Sequence, residues 1–180
     1  EDIKSSAFWS VIGSLIVIGL YILFRFRKWQ FSMGAIVSSA HDVLMVLGIY
    51  SLTYSIMPFN MEIDQAFIAA ILTVVGYSLN DTVIIYDRIR EVMREPHWSR
   101  EKINHALNAT LSRTLNTSFT TMAVLVTIFI FGGETLRGFM FAMIIGVLIG
   151  TYSSIFVAAP LIYDTVKDEA DHTKEEEHRK

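Results

Sequence analysis

Apolar side chains fill this chain in five long stretches, over 7–24, 33–57, 66–86, 112–131 and 139–163, and most polar and charged residues fall between them. The stretch 7–24 contains no Asp, Glu, Lys, Arg or His. Its length suffices to cross a hydrocarbon core of about 30 Å at about 1.5 Å per helical residue. A buried helix of that length in a water-soluble protein normally keeps a polar stripe, and 7–24 has none. The pattern therefore predicts an all-α membrane protein, a bundle of five transmembrane helices occupying 1–163. A loop is expected over 87–111, and a charged, solvated tail over 164–180. Inside that loop a short helix is predicted from Ser99, whose hydroxyl can cap it shortly after Pro96. Its charges read as a solvated face near anionic headgroups or as a docking surface.

The interruptions carry the topology. Arg25, Arg27 and Lys28 follow the first stretch, Arg88, Arg90, Arg94, Arg100 and Lys102 follow the third, and four more cations lie in the tail. The other two breaks, 58–64 and 132–134, contain no Lys or Arg. Lys4 and Arg137 are the cations expected on the opposite side, and Arg113 falls inside a stretch. The positive-inside rule assigns the cation-rich side to the cytoplasm. The N-terminus then starts outside and the C-terminus ends inside, which requires an odd number of spans, and five satisfies it.

Composition narrows the class further. With 52% hydrophobic residues among 180, the chain is too apolar for an ordinary globular domain. The net charge of −3 reflects mainly the acidic tail. No cysteine is present, which excludes a disulfide framework and thiolate chemistry. The chain opens on Glu1-Asp2-Ile3-Lys4 without a methionine, and its first stretch lacks the basic flank of a signal peptide. It is expected to be a piece of a larger protein.

Ionisable residues inside the spans are the candidates for chemistry. Asp81 lies in Gly76-Tyr77-Ser78-Leu79-Asn80-Asp81-Thr82-Val83-Ile84-Ile85-Tyr86, roughly 22 Å along the helix from Ala66 at about 1.5 Å per residue. An intramembrane carboxylate costs at least about 2.5–3.5 kcal/mol on insertion scales, so it calls for a partner or a wet cavity, and it can take up and release protons. The alternative is a helix end from which the side chain reaches the interface. Arg113 falls at comparable depth on the next, antiparallel span and is the natural counter-charge; otherwise it snorkels to the headgroups. Thr110, Arg113, Thr114, Thr117, Thr120 and Thr121 recur at helical spacing, a polar stripe that in lipid should face other helices or water.

His41-Asp42, within the second span, forms either a proton-handing pair or a hydrogen-bonded structural pair. The last span carries small residues every four positions, Gly138, Ala142, Gly146, Gly150, Ser154 and Ala158. Gly146 and Gly150 within it form a GxxxG that permits close helix packing. There is no GxSxG serine, no HExxH or comparable metal spacing, and no glycine loop for ATP. His41-Asp42 resembles a phosphohydrolase dipeptide, but the further metal ligands are missing. A proton- or ion-coupled transport component, or a structural membrane subunit, remains. No metal, no cofactor beyond the coupling proton and no nucleic acid is expected.

The motif from Gly76 through Asp81 and Tyr86 to Glu91 closely resembles SecF-type members of the SecD/SecF family. Ala40-His41-Asp42-Val43, Thr110-Leu111-Ser112-Arg113-Thr114 with Thr117, Ser118, Thr120 and Thr121, Gly132-Gly133, and 145–155 fit it in the same order. The resemblance covers nearly the whole chain. It implies half of an RND-type transmembrane domain, its second to sixth helices. It also implies a bacterial inner-membrane location and a role in coupling the proton-motive force to protein export. SecD, SecYEG, YidC and the translocating preprotein are the implied partners, with SecD separate or fused in one SecDF chain. The family's intramembrane Asp and Arg map onto Asp81 and Arg113. His41, Asp42, Asn80 and Thr114 are expected to line the proton route. An RND-type exporter of small molecules or lipids, and a scaffold for SecD or YidC, are the competing readings.

Overall fold

The computed structural model of the chain describes residues 2–94 and 99–166. Five long helices, α1 (Asp2–Phe26), α2 (Trp29–Thr53), α3 (Gln65–Met93), α4 (Arg100–Phe131) and α5 (Glu134–Val166), are each long and apolar enough to cross a membrane. No strand occurs among the described residues. Near the end of α5, Ser154–Ala158 forms a π-helical turn.

The helices end where their backbone groups find caps, not where hydrophobicity stops. The Asp64 side chain accepts from the Phe67 N–H at 2.8 Å and starts α3. Ser99 accepts from Lys102 N–H at 3.3 Å and starts α4. Gly132 closes α4, its N–H bonded to the Ile128 carbonyl at 2.6 Å.

The loop expected over 87–111 is corrected accordingly. Within it α3 continues to Met93, and the helix capped by Ser99 runs unbroken into the fourth span. Charged side chains end an apolar run but do not break an i→i−4 ladder, because their heads project into water or headgroups. The second helix begins at Trp29 and stops at Thr53, four residues earlier at each end than expected. Pro58 disfavours helix in the residue before it. The tail is helical as far as Val166, and 167–180 lies outside the described residues.

α3 and α5 pack on each other and form the centre; α2 and α4 each lie against both, and α1 packs on α2 and touches α3. The α3–α5 register follows from the small residues. A Cβ at Gly146 would collide with Val74, a Cβ at Gly150 with Ser78, and Ser154 hydrogen-bonds Thr82 at 2.9 Å. Both helices advance by four residues in the same direction, so they run parallel in close contact. α1 and α4 instead expose large apolar side chains, among them Trp9, Val17 and Phe24 on α1 and Phe119, Ile130 and Phe131 on α4. Such faces suit lipid or neighbouring helices, not water. Aromatic clusters close both ends of the bundle. Phe26, Phe31 and Tyr86 meet at the basic end with ring centroids 5.0–5.8 Å apart. Tyr50 packs against Phe67 at the other end, ring centroids 4.3 Å apart and tilted by 43°.

Candidate functional site

The centre of the bundle is polar. On α3, Ser78, Asp81 and Thr82 recur at three- and four-residue spacing, so they share the face turned inward, and each is about 1% exposed. Ser78 donates to Asp42 Oδ2 at 2.5 Å, and His41 Nδ1 lies 3.3 Å from Asp42 Oδ1. Asp42 is fully buried while His41 stays about one-third exposed, so the pair connects the bundle centre to its surface. Ser154 bridges α5 to α3 through Thr82 and through the Ser78 carbonyl at 3.3 Å. Thr151 on α5 and Ser118 on α4 lie 2.6 Å apart. The Tyr77 hydroxyl reaches Ser118 at 3.5 Å and Thr121 at 3.4 Å.

Asp81 stands apart from this network. Its side chain is buried, yet Oδ2 has no hydrogen-bond partner among the described residues, and neither has the buried Thr114 hydroxyl. The large majority of buried polar atoms are paired, because leaving one unpaired costs about 1–3 kcal/mol. Arg113 is exposed on α4 and makes no ion pair with Asp81. It stands on α4, which packs directly against α3. The two residues lie on neighbouring helices and form no ion pair.

The remaining candidates divide. Asn80 is exposed, about 100° around α3 from the buried Asp81. His41 and Asp42 come together, and they join Ser78 in place of Asp81. Gly146 and Gly150 pack against α3. No group of three or more His, Asp or Glu side chains among the described residues is arranged to hold a metal ion.

Reading the sequence alone missed Ser78, Thr82, Thr151 and Ser154 as members of a hydrogen-bonded core. The available signal was the three- and four-residue spacing of Ser78, Asp81 and Thr82, the same signal that marked the polar stripe of α4. The groups gathered here are two buried carboxylates and a set of hydroxyls. Asp42 has a partner at each oxygen, whereas Asp81 has an oxygen that either a proton or a mobile cation would satisfy.

Comparison with known proteins places this geometry in a lineage. The family described as "Protein export membrane protein SecD/SecF, C-terminal" matches residues 1–168. Protein translocase subunit SecF of Rhodothermus marinus is 56% identical over 166 residues, covering 91% of this chain and 54% of that protein. Protein translocase subunit SecDF of Brucella abortus is 44% identical over 164 residues, covering 90% of this chain and 21% of its own length. The crystal structure of SecDF from Thermus thermophilus, described as a translocon-associated membrane protein, superposes with a TM-score of 0.82 at 40% identity, over 91% of this chain and 22% of that one. The chain thus spans about half the length of the SecF relatives and about a fifth of the SecDF ones.

Proposed function

Because the chain belongs to the SecD/SecF family of protein export membrane proteins, we propose that it is the transmembrane part of a SecF-type subunit that couples the proton-motive force to protein export. It works as a conformational coupler and not as an enzyme. In this reading the basic end of the bundle faces the cytoplasm of a bacterium, with the start of α1 on the periplasmic side of the inner membrane. SecD, as a separate subunit or as the other half of one chain, completes the transmembrane domain. SecYEG, YidC and the translocating preprotein are the further partners.

One observation carries the proposal: a carboxylate in mid-helix, sealed from solvent, with an oxygen that no described residue satisfies. Protonation of Asp81 removes a charge from a low-dielectric centre and ends its attraction to Arg113. Arg113, already exposed, is then free to turn toward another partner. His41 and Asp42 bring a titratable pair to within one helical turn of Asp81 through Ser78, and Thr114 offers a spare hydroxyl from α4. The α3–α5 contact transmits the change, because the two helices are locked side by side.

The test is Asp81→Asn in the full-length protein, which keeps the shape and removes the titration. Export of a reporter preprotein into inverted membrane vesicles is measured with and without an ionophore. The ionophore-sensitive fraction should disappear while co-purification with SecD is unchanged. If the ionophore lowers export by the variant as much as by the parent, Asp81 is not the coupling group. Loss of co-purification would instead favour a scaffold role.

A further inference from the structure

The basic end of the bundle has an unusual charge balance. A cavity of about 240 Å³ opens there, lined by Arg27, Lys28, Arg90 and Arg94 over an apolar floor of Phe26, Phe31 and Met93. The nearby carboxylates are already engaged: Asp87 pairs with Arg25 at 3.1 Å, and Glu91 pairs with Arg88. Arg27, Lys28 and Arg94 therefore have no acidic partner among the described residues. Arg90 reaches only the Arg25 carbonyl, at 3.5 Å, and the Phe26 ring at 5.8 Å.

Local backbone structure concentrates this charge. Arg27 adopts a left-handed conformation, φ 57°, the only non-glycine residue among those described to do so. Its N–H bonds the Leu23 carbonyl at 2.8 Å and closes α1, a position that ordinarily favours glycine. The neighbouring Lys28 is the N-cap of α2 and supplies no side-chain cap, and no acidic residue follows in the first turn. No acidic side chain of its own first turn offsets the positive end of α2 beside the cavity. Trp29, 53% exposed, lies at the same level, the depth at which membrane-interface aromatics sit.

Cations around an apolar floor, where three helices leave the hydrocarbon, match one kind of molecule: an anion attached to acyl chains. We propose that this cavity binds the phosphate headgroup of an anionic phospholipid, with Arg27, Lys28, Arg90 and Arg94 as donors and Phe26, Phe31 and Met93 against its glycerol and upper acyl carbons. Arginine suits phosphate because its planar fork donates two parallel hydrogen bonds. The site is independent of the proton coupling proposed above and stands or falls separately.

Native mass spectrometry of the full-length protein in detergent, titrated with phosphatidylglycerol or phosphatidylcholine, tests it. Phosphatidylglycerol should bind more tightly. Each removed cation should weaken it about fivefold, so the triple variant Arg27→Gln, Lys28→Gln, Arg94→Gln should lose about a hundredfold. A charge-matched variant, Arg88→Gln, Arg100→Gln, Lys102→Gln, should lose far less. Equal losses would reduce the effect to general surface electrostatics and overturn the site. So would equal affinity for phosphatidylcholine, or displacement of the lipid by millimolar inorganic phosphate, which would mark a site for the free anion. If the triple variant does not fold, Arg27→Gly keeps the left-handed backbone and removes one cation. It should bind phosphatidylglycerol about fivefold more weakly at an unchanged melting temperature, and unchanged binding would overturn the proposal.

Discussion

Replacing Gly146 with alanine puts a methyl group into the tightest contact of the bundle. The new Cβ would lie 2.1 Å from Val74 Cγ2, 2.6 Å from Cγ1 and 2.9 Å from Cβ. Carbon atoms pack at about 3.5–4.0 Å, so the nearest pair is roughly 1.4 Å too close. Val74 is β-branched and 1% exposed, and it has little rotamer freedom with which to yield. The helices must separate locally, which stretches the Thr82–Ser154 bond and the Ser154 contact with the Ser78 carbonyl. Overpacking costs about 1–3 kcal/mol, and each interhelical hydrogen bond in a membrane adds about 0.6 kcal/mol. The expected loss is therefore about 2–4 kcal/mol, measured by reversible unfolding of the full-length protein in mixed micelles. Val74→Ala removes both offending methyl groups. The double variant Gly146→Ala, Val74→Ala should thus be more stable than the sum of the single losses predicts, by about 1 kcal/mol or more. If Gly146→Ala is neutral, or if the two losses simply add, α3 and α5 do not pack in this register.

Two further substitutions probe the polar centre and the basic end. Tyr86 is fully buried, with its hydroxyl aimed at Gly34 and unpartnered. Tyr86→Phe should be neutral or stabilising by up to about 1 kcal/mol, and a loss above that in the same unfolding assay would reveal a hydrogen bond essential to the fold. Ser78→Ala removes the donor to Asp42 Oδ2 and leaves His41 alone on that carboxylate. It should cost about 1.5–3 kcal/mol, as hydrogen bonds to charged groups do; no loss would mean that Asp42 does not depend on Ser78.

What was legible in the sequence follows from which force wrote it. The membrane selects for apolar composition over about 20 residues, and all five helices could be located on that signal alone. Helix ends answer to a different force, the capping of N–H and carbonyl groups. Ser99 could be read as a cap because its signature is local, while the length of helix beyond it could not. The burial of Asp81 was legible because apolar sequence flanks it on both sides. The exposure of Arg113 was not, since which way a side chain points depends on the rotation of α4 about its own axis, and that is set by packing against α3 and α5. The Ser78–Asp42 bond joins residues 36 positions apart, a separation at which a single sequence carries no pairing signal.

The small residues of α5 pose a problem of phase. A residue recurring every four positions advances about 40° beyond a full turn of an α-helix at each step. From Gly138 to Ala158 a straight α-helix would therefore carry the stripe roughly 200° around its axis, away from α3. All six members of the stripe are buried nonetheless, as are Ile162 and Val166 beyond it. The π-helical turn at Ser154–Ala158 takes in one extra residue and returns about 100° of that drift. α5 consequently has two azimuths, set separately on either side of that turn. A single-residue deletion within it would turn the bulge into regular α-helix and leave both azimuths in place, whereas a deletion in the α-helical part before it would rotate one side against the other by about 100°. Passing the extra residue one turn along the helix would rotate only the stretch in between, beside Thr82 and one turn from Asp81, without unwinding the rod.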